Sequence, residues 1–217
     1  MATISENLQV VKARIAGAHG VTLLAVSKGH RMERVREAVE AGQRAFGENY
    51  VQEALAKMDV LPQLEWHLIG PLQSNKTRDA AERFDWIQTL ESERIARRLS
   101  EQRPVHRPPL NVLIQVNVSQ ERTKSGVAPS EVPALASAIA AMPRLRLRGL
   151  MAIPRPGDAS GYPRMKALFD GLKDAFEFDT LSMGMSDDFE AAIAAGATMV
   201  RVGTAIFGPR SKEKSPA

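Results

Sequence analysis

Apolar runs of strand type alternate with stretches of helical spacing eight times along this chain, and that alternation limits the fold more than any other property of the sequence. The strand candidates are residues 22–27, 44–47, 66–69, 85–89, 111–118, 147–153, 180–183 and 199–203. Near-continuous apolar stretches such as Val112-Leu113-Ile114-Gln115-Val116 suit a parallel sheet covered by helices. The intervening segments carry helical spacing: Met32, Val35 and Val39; Ile95 and Leu99; Val132, Leu135, Ala136 and Ile139; Leu168, Leu172 and Phe176. Ile4, Leu8, Val11 and Ile15 add a helix before the first strand. Thr3-Ile4-Ser5-Glu6 and Asp187-Asp188-Phe189-Glu190 read as capping boxes, and Gly42 and Gly196 stand where helices end before the next strand. Right-handed crossovers leave few ways to join such units. Eight of them predict an α/β fold, a single (β/α)8 TIM barrel with an extra N-terminal helix, and the alternative is a doubly wound open sheet. At 217 residues the chain is at the small end for a barrel, roughly 200 residues upward, so one domain spanning 1–217 with short loops is expected, ending in a polar tail at 211–217.

Several classes of function are excluded or demoted by composition. The chain has no cysteine, which removes disulfides, thiolate zinc sites and a cysteine nucleophile. Neither an HxxEH-type spacing nor an acidic cluster marks a metal site. No apolar run approaches the roughly 18 residues of a membrane span, and the first six residues lack the features of a signal peptide. A soluble, cytoplasmic monomer is expected. The net charge of +4 raises nucleic acid as a partner, but 29 basic residues are interspersed with 25 acids and not interleaved with aromatic residues. Arg144, Arg146 and Arg148 alternate with Leu145 and Leu147, as on a strand with one polar face, and an RNA-contacting stripe is the less favoured reading.

In a barrel, function is built at the C-terminal ends of the strands. Lys28, Glu48, Asn49, Gly70, Thr89, Asn117, Met151, Ser182, Arg201, Gly203 and Thr204 fall there. Strand alternation puts Lys28 on one face with Leu24 and Val26, over the barrel mouth; a solvated lysine capping the first strand is the competing reading. Lysine has an ordinary pKa of about 10.4, so a nucleophilic amine needs a nearby cation or partial desolvation, and Arg201 across the mouth is placed to supply the cation. The 201–208 segment ends the eighth strand and opens a short helix, where backbone amides at Gly203 and the Thr204 hydroxyl suit a phosphate, with the Ser182-to-Ser186 turn alongside. A lysine amine opposite a phosphate cradle matches a phosphorylated aldehyde. His67 reads as a hydrogen-bonded core histidine before a catalytic one, and Lys76 and Lys124 as solvated loop residues.

Ala25-Val26-Ser27-Lys28, Phe46-Gly47-Glu48-Asn49-Tyr50-Val51-Gln52-Glu53, Trp66-His67-Leu68-Ile69-Gly70-Pro71-Leu72-Gln73-Ser74-Asn75-Lys76, Arg148-Gly149-Leu150-Met151 and the 181–187 and 200–208 runs together resemble the pyridoxal-phosphate homeostasis protein family over nearly the whole chain. The resemblance implies a barrel similar to that of alanine racemase, with pyridoxal 5'-phosphate as the cofactor. It implies Lys28 as the Schiff-base lysine, Arg201 facing the pyridine nitrogen, Ser182, Gly203 and Thr204 on the phosphate, and Asn49 and Met151 lining the ring. Where the family carries Thr-Lys-Pro after its lysine, this chain has Gly29-His30-Arg31, which removes a second lysine used in cofactor transfer.

A guanidinium stays protonated and cannot hand a proton to the pyridine ring, so the ring opposite it remains a weak electron sink. Carriage or buffering of the cofactor, with apo pyridoxal-phosphate enzymes as recipients, is therefore expected ahead of catalysis. The alternative is a racemase or decarboxylase, for which Tyr50 and His67 are the candidate acid/base groups.

Overall fold

In the computed structural model, residues 2–18, 20–121, 124–155, 157–158 and 160–209 are described; the 211–217 tail lies outside them. Eight parallel strands close into a barrel in sequential order, which rules out the open-sheet alternative. They are β1 Thr22–Val26, β2 Ala45–Glu48, β3 Glu65–Leu68, β4 Trp86–Leu90, β5 Leu110–Val116, β6 Leu145–Ala152, β7 Thr180–Ser182 and β8 Met199–Val202. Pairing of β1 with β8, from Thr22 opposite Met199 to Ala25 opposite Val202, completes the ring. The outer layer is α2 Met32–Glu40, α3 Val51–Val60, α4 Thr77–Arg83, α5 Glu93–Gln102, α6 Val132–Ala140, α7 Gly161–Phe176, α8 Phe189–Ala194 and the single turn α9 Thr204–Phe207.

The extra helix α1 Ile4–Ile15 forms as its sequence dictates. Thr3 Oγ1 accepts from the Glu6 amide at 3.1 Å while the Glu6 carboxylate accepts from the Thr3 amide at 2.8 Å, and Ile4, Leu8, Val11 and Ile15 are buried as one stripe. It packs against α2 and α9, with Asn7 Nδ2 donating to the Ile206 carbonyl at 3.0 Å. Gly42 and Gly196 end their helices at φ of +88° and +97°, a conformation that other residues adopt only with strain. The second capping box does not form. Asp188 is the N-cap of α8 but makes no capping bond; its carboxylate accepts from the Met185 amide and the Tyr162 hydroxyl instead, both at 2.6 Å.

Alternate strand residues face outward and inward. Phe46 and Trp66 point to the helices with ring centroids 5.6 Å apart, and Trp86, Leu113 and Met151 form a separate apolar cluster inside the barrel. Of the arginine stripe, Arg146 is exposed, but Arg148 closes the N-terminal end of the barrel. Its guanidinium lies 4.8 Å over the Trp86 ring and pairs with Asp179 at 2.7 Å. Arg144 donates to the carbonyls of Glu101 and Arg103 at 3.2 Å each. Two of the three arginines are thus spent on internal contacts.

Candidate functional site

At the C-terminal mouth the strand ends and following loops enclose a cavity of about 300 Å³ whose wall includes Lys28, Asn49, Arg201, Gly203 and Thr204. Met151 and Ser182 do not line it. They are opposite each other in the β6–β7 register, and both are fully buried one layer below the mouth, where Ile153 takes the wall position on β6. Interior side chains of a barrel stack in layers, and counting strand ends from sequence placed these two a layer too high. His30, two residues past Lys28, also lines the cavity and stacks on Phe207 with centroids 5.0 Å apart.

The backbone on both sides of Lys28 is held from behind by α3. The Lys57 ammonium donates to the Ser27 carbonyl at 2.8 Å, and the Gly29 amide donates to Glu53 Oε1 at 2.6 Å. Lys57 also pairs with Glu48 at 2.7 Å and Glu53 at 2.8 Å, and the Ser27 hydroxyl donates to Glu48 Oε1 at 2.6 Å. Glu48 is completely buried, and its Oε2 has no hydrogen-bond partner. Burial outweighs Lys57 and pushes the Glu48 carboxyl up to about 7. Sequence reasoning missed Glu53 and Lys57, because an acid and a lysine four residues apart on a helix ordinarily form a solvated pair.

Arg201, 4% exposed, is fixed from below. Its guanidinium donates to the Ser182 hydroxyl at 2.8 Å and to the Ala152 carbonyl at 2.9 Å, leaving further donors of the fork for the cavity. Burial pulls its pKa down to about 10 against the support of Tyr162 and Asp188, so the group remains a cation at neutral pH. Beside it, Ser186 Oγ accepts from the amides of Gly203 at 3.2 Å and Ala205 at 3.3 Å, an oxygen seated at the start of α9. Ser186 was legible only as part of the turn after the seventh strand. Tyr50 is 67% exposed on the rim and His67 lies deep in the barrel, so neither faces the cavity. Lys124 pairs with Glu121 at 2.8 Å and lines an adjoining recess that shares Asn49, Ile69 and Ile153 with the cavity. It is not simply solvated.

The alanine racemase N-terminal domain family matches residues 1–211. A protein of Escherichia coli named pyridoxal phosphate homeostasis protein is 53% identical over 235 residues, covering 99% of this chain and 100% of the relative. The chain belongs to the pyridoxal phosphate homeostasis protein family. Another member, from Pseudomonas aeruginosa, is 55% identical over 225 residues, covering 97% of each chain. Among solved structures, PipY from Synechococcus elongatus, with pyridoxal phosphate bound, superposes with a TM-score of 0.85 at 36% identity, covering 95% of this chain and all of PipY. Membership accounts for the closed barrel. Among the described residues, no helix is long and apolar enough to cross a membrane.

Proposed function

We propose that this protein binds pyridoxal 5'-phosphate through Lys28 and carries or buffers the cofactor in vitamin B6 homeostasis, without turning over an amino-acid substrate of its own. The observation that carries the reading is a lysine and a buried, protonated arginine on the wall of one 300 Å³ cavity, beside the two amides that now hold the Ser186 oxygen. The names of the relatives and the ligand of PipY point the same way.

Bound there, pyridoxal phosphate supplies an aldehyde for an amine and a ring that withdraws electrons when its nitrogen is protonated. The residues present fit such a group. Lys28 offers the amine, and at the start of α9 the Ser186 hydroxyl, its oxygen held by the Gly203 and Ala205 amides, and the Thr204 hydroxyl offer donors to an anion. Arg201 would donate to a ring nitrogen and, with a pKa of about 10, would not protonate it. Asn49, on the same cavity wall, would lie along the ring. The candidate acid/base groups Tyr50 and His67 lie away from the cavity, which favours carriage over racemisation or decarboxylation.

Titration with pyridoxal phosphate should raise a visible absorbance band, borohydride should fix the label on the Lys28 peptide, and Lys28→Ala should abolish both. Label on Lys76 or Lys124 with Lys28 unmodified overturns the assignment. Amino acids incubated in deuterated buffer with the loaded protein should gain no α-deuterium at enzymatic rates; exchange at such rates would make the protein a racemase-type enzyme.

A further inference from the structure

A continuous line of hydrogen bonds runs through the barrel interior, from the cavity to the opposite face. Arg201 on β8 donates to Ser182 Oγ on β7 at 2.8 Å, and the Ser182 hydroxyl donates to Gln88 Oε1 on β4 at 2.7 Å. Gln88 Nε2 lies 2.8 Å from His67 Nδ1 on β3, and His67 Nε2 lies 2.8 Å from Glu65 Oε1. Ser182, Gln88 and His67 are wholly buried, whereas the Glu65 side chain is 47% exposed at the N-terminal end of β3. Five residues from four strands therefore connect the mouth of the barrel to solvent at its base.

The chemistry of the end groups gives the line one direction. A guanidinium only donates, so Ser182 must accept from Arg201 and spend its single proton on Gln88. The Gln88 carboxamide is then oriented with its oxygen to Ser182 and its NH₂ to His67, where Nε2 also approaches Met199 Sδ at 3.1 Å. His67 Nδ1 must accept, which leaves the ring proton on Nε2, donated to Glu65. Every bond points from the cation to the anion, an arrangement in which each bond polarises the next.

A second proton on His67 would set Nδ1–H against the Gln88 NH₂, and relieving that by turning the carboxamide over would aim its NH₂ at a Ser182 oxygen that already accepts from Arg201. Around the ring are Glu65 on its own strand, Asp85 before β4, and Trp86 stacked at 5.1 Å, whose indole Arg148 also covers at 4.8 Å. Burial keeps His67 below the ordinary histidine range despite these acids, consistent with the neutral ring that the direction requires.

We infer that Ser182, Gln88 and His67 are positioning residues that set which donors Arg201 turns to the cavity, and that protonation at the base of the barrel is coupled through this line to the ligand-binding mouth. The inference rests on the reading of Arg201 as the partner of the bound ring nitrogen. It gives Ser182 a role beneath Arg201, where the sequence expectation had it on the phosphate.

The unliganded full-length protein tests the line without the cofactor. With ¹⁵N-histidine, His67 should show a protonated Nε2 and an unprotonated Nδ1, and Gln88→Glu should convert it to imidazolium at neutral pH. A Nδ1–H tautomer or a charged ring in the wild type overturns the proposal. In the loaded protein, Ser182→Ala should weaken pyridoxal phosphate about tenfold, the worth of one hydrogen bond to a charged group, and shift the pH midpoint of the visible band, while borohydride label still falls on Lys28. Ser182→Thr, which keeps the hydroxyl, should restore both. An unchanged midpoint and affinity in Ser182→Ala overturns the coupling even if Lys28 is labelled; absent label on wild-type Lys28 overturns the reading of the site instead. Should Ser182→Ala fail to fold, the wild-type tautomer and the Gln88→Glu titration decide.

Discussion

Two buried polar networks stand behind the two principal residues of the mouth, and they are built in opposite ways. The one behind Lys28 lies between the barrel and α3 and consists mainly of charges: Glu48, Glu53 and Lys57, with the Ser27 hydroxyl. The one behind Arg201 runs inside the barrel through neutral groups, with its charges at the ends. The first leaves an oxygen of Glu48 without a partner, whereas in the second each interior group has one on both sides. A charged cluster in low dielectric is sensitive to proton concentration, and a saturated neutral line resists it. One mouth thus combines a lysine whose support titrates near neutral pH with an arginine whose support holds until His67, kept below the ordinary histidine range by burial, takes up a proton.

The largest expected effect comes from breaking the first network. Lys57→Met removes the ammonium that pairs with Glu48 and Glu53 and frees the Ser27 carbonyl next to Lys28. Removing one partner from a buried ion pair costs about 3–5 kcal/mol, so the denaturation midpoint should fall steeply at pH 8. At pH 5.5 the loss should be smaller, because Glu48 is then protonated and no longer an isolated charge. An equal loss at both pH values would mean that Glu48 is ionised throughout and that the contrast between the networks is mistaken.

A sharper test isolates the proton itself. The Glu48 pKa is raised from 4.5 in the unfolded chain to about 7 in the fold, so the native state binds the extra proton between those values. Its contribution to stability is therefore fully present below about pH 4.5 and is lost as the pH rises through about 7. Glu48→Gln keeps the shape and the acceptor for Ser27 but removes the titration. The variant should match the wild type near pH 4.5 and gain on it with rising pH, by about 3 kcal/mol at pH 8 at most. Paired urea melts across that range measure the difference, and a constant difference would contradict the raised pKa.

The strands, their order and the initial helix were legible because period-2 and near-continuous apolar runs, capping chemistry and helix-ending glycines all agree along this chain. Lys28, Asn49, Arg201, Gly203 and Thr204, placed at strand ends from the sequence, all line the cavity, whereas Glu48, at the end of β2, turns back toward Lys57 on α3. What sits below or behind the mouth was not legible. The depth of Ser182 and Met151 depends on the stagger between strands, which no single strand encodes. The Glu53–Lys57 pair looks like a surface pair until β2 supplies Glu48 to meet it, and His67 and Gln88, on different strands, become neighbours only when the barrel closes. Both networks are products of tertiary geometry, whereas the groups they support are set by local sequence.

The smallest effect expected is the one that separates positioning from general loosening. Thr3→Ala removes the capping box of α1, on the outside of the barrel and remote from both networks. Loss of such a cap costs about 1 kcal/mol, which a thermal melt resolves. That cost is of the same order as the loss of a hydrogen bond in the interior line, so the two variants are matched in stability but not in location. Helix α1 also touches α9, through Asn7 on the Ile206 carbonyl, so any slackness it transmits would reach the turn that carries Gly203 and Thr204. If the interior line acts by aiming Arg201, Thr3→Ala should lower the melting temperature and leave pyridoxal-phosphate affinity and the pH midpoint of the visible band unchanged. Should Thr3→Ala weaken the cofactor as much as Ser182→Ala does, the effect at Ser182 would be one of overall stability, and the distinction between a line that positions and a fold that merely holds would disappear.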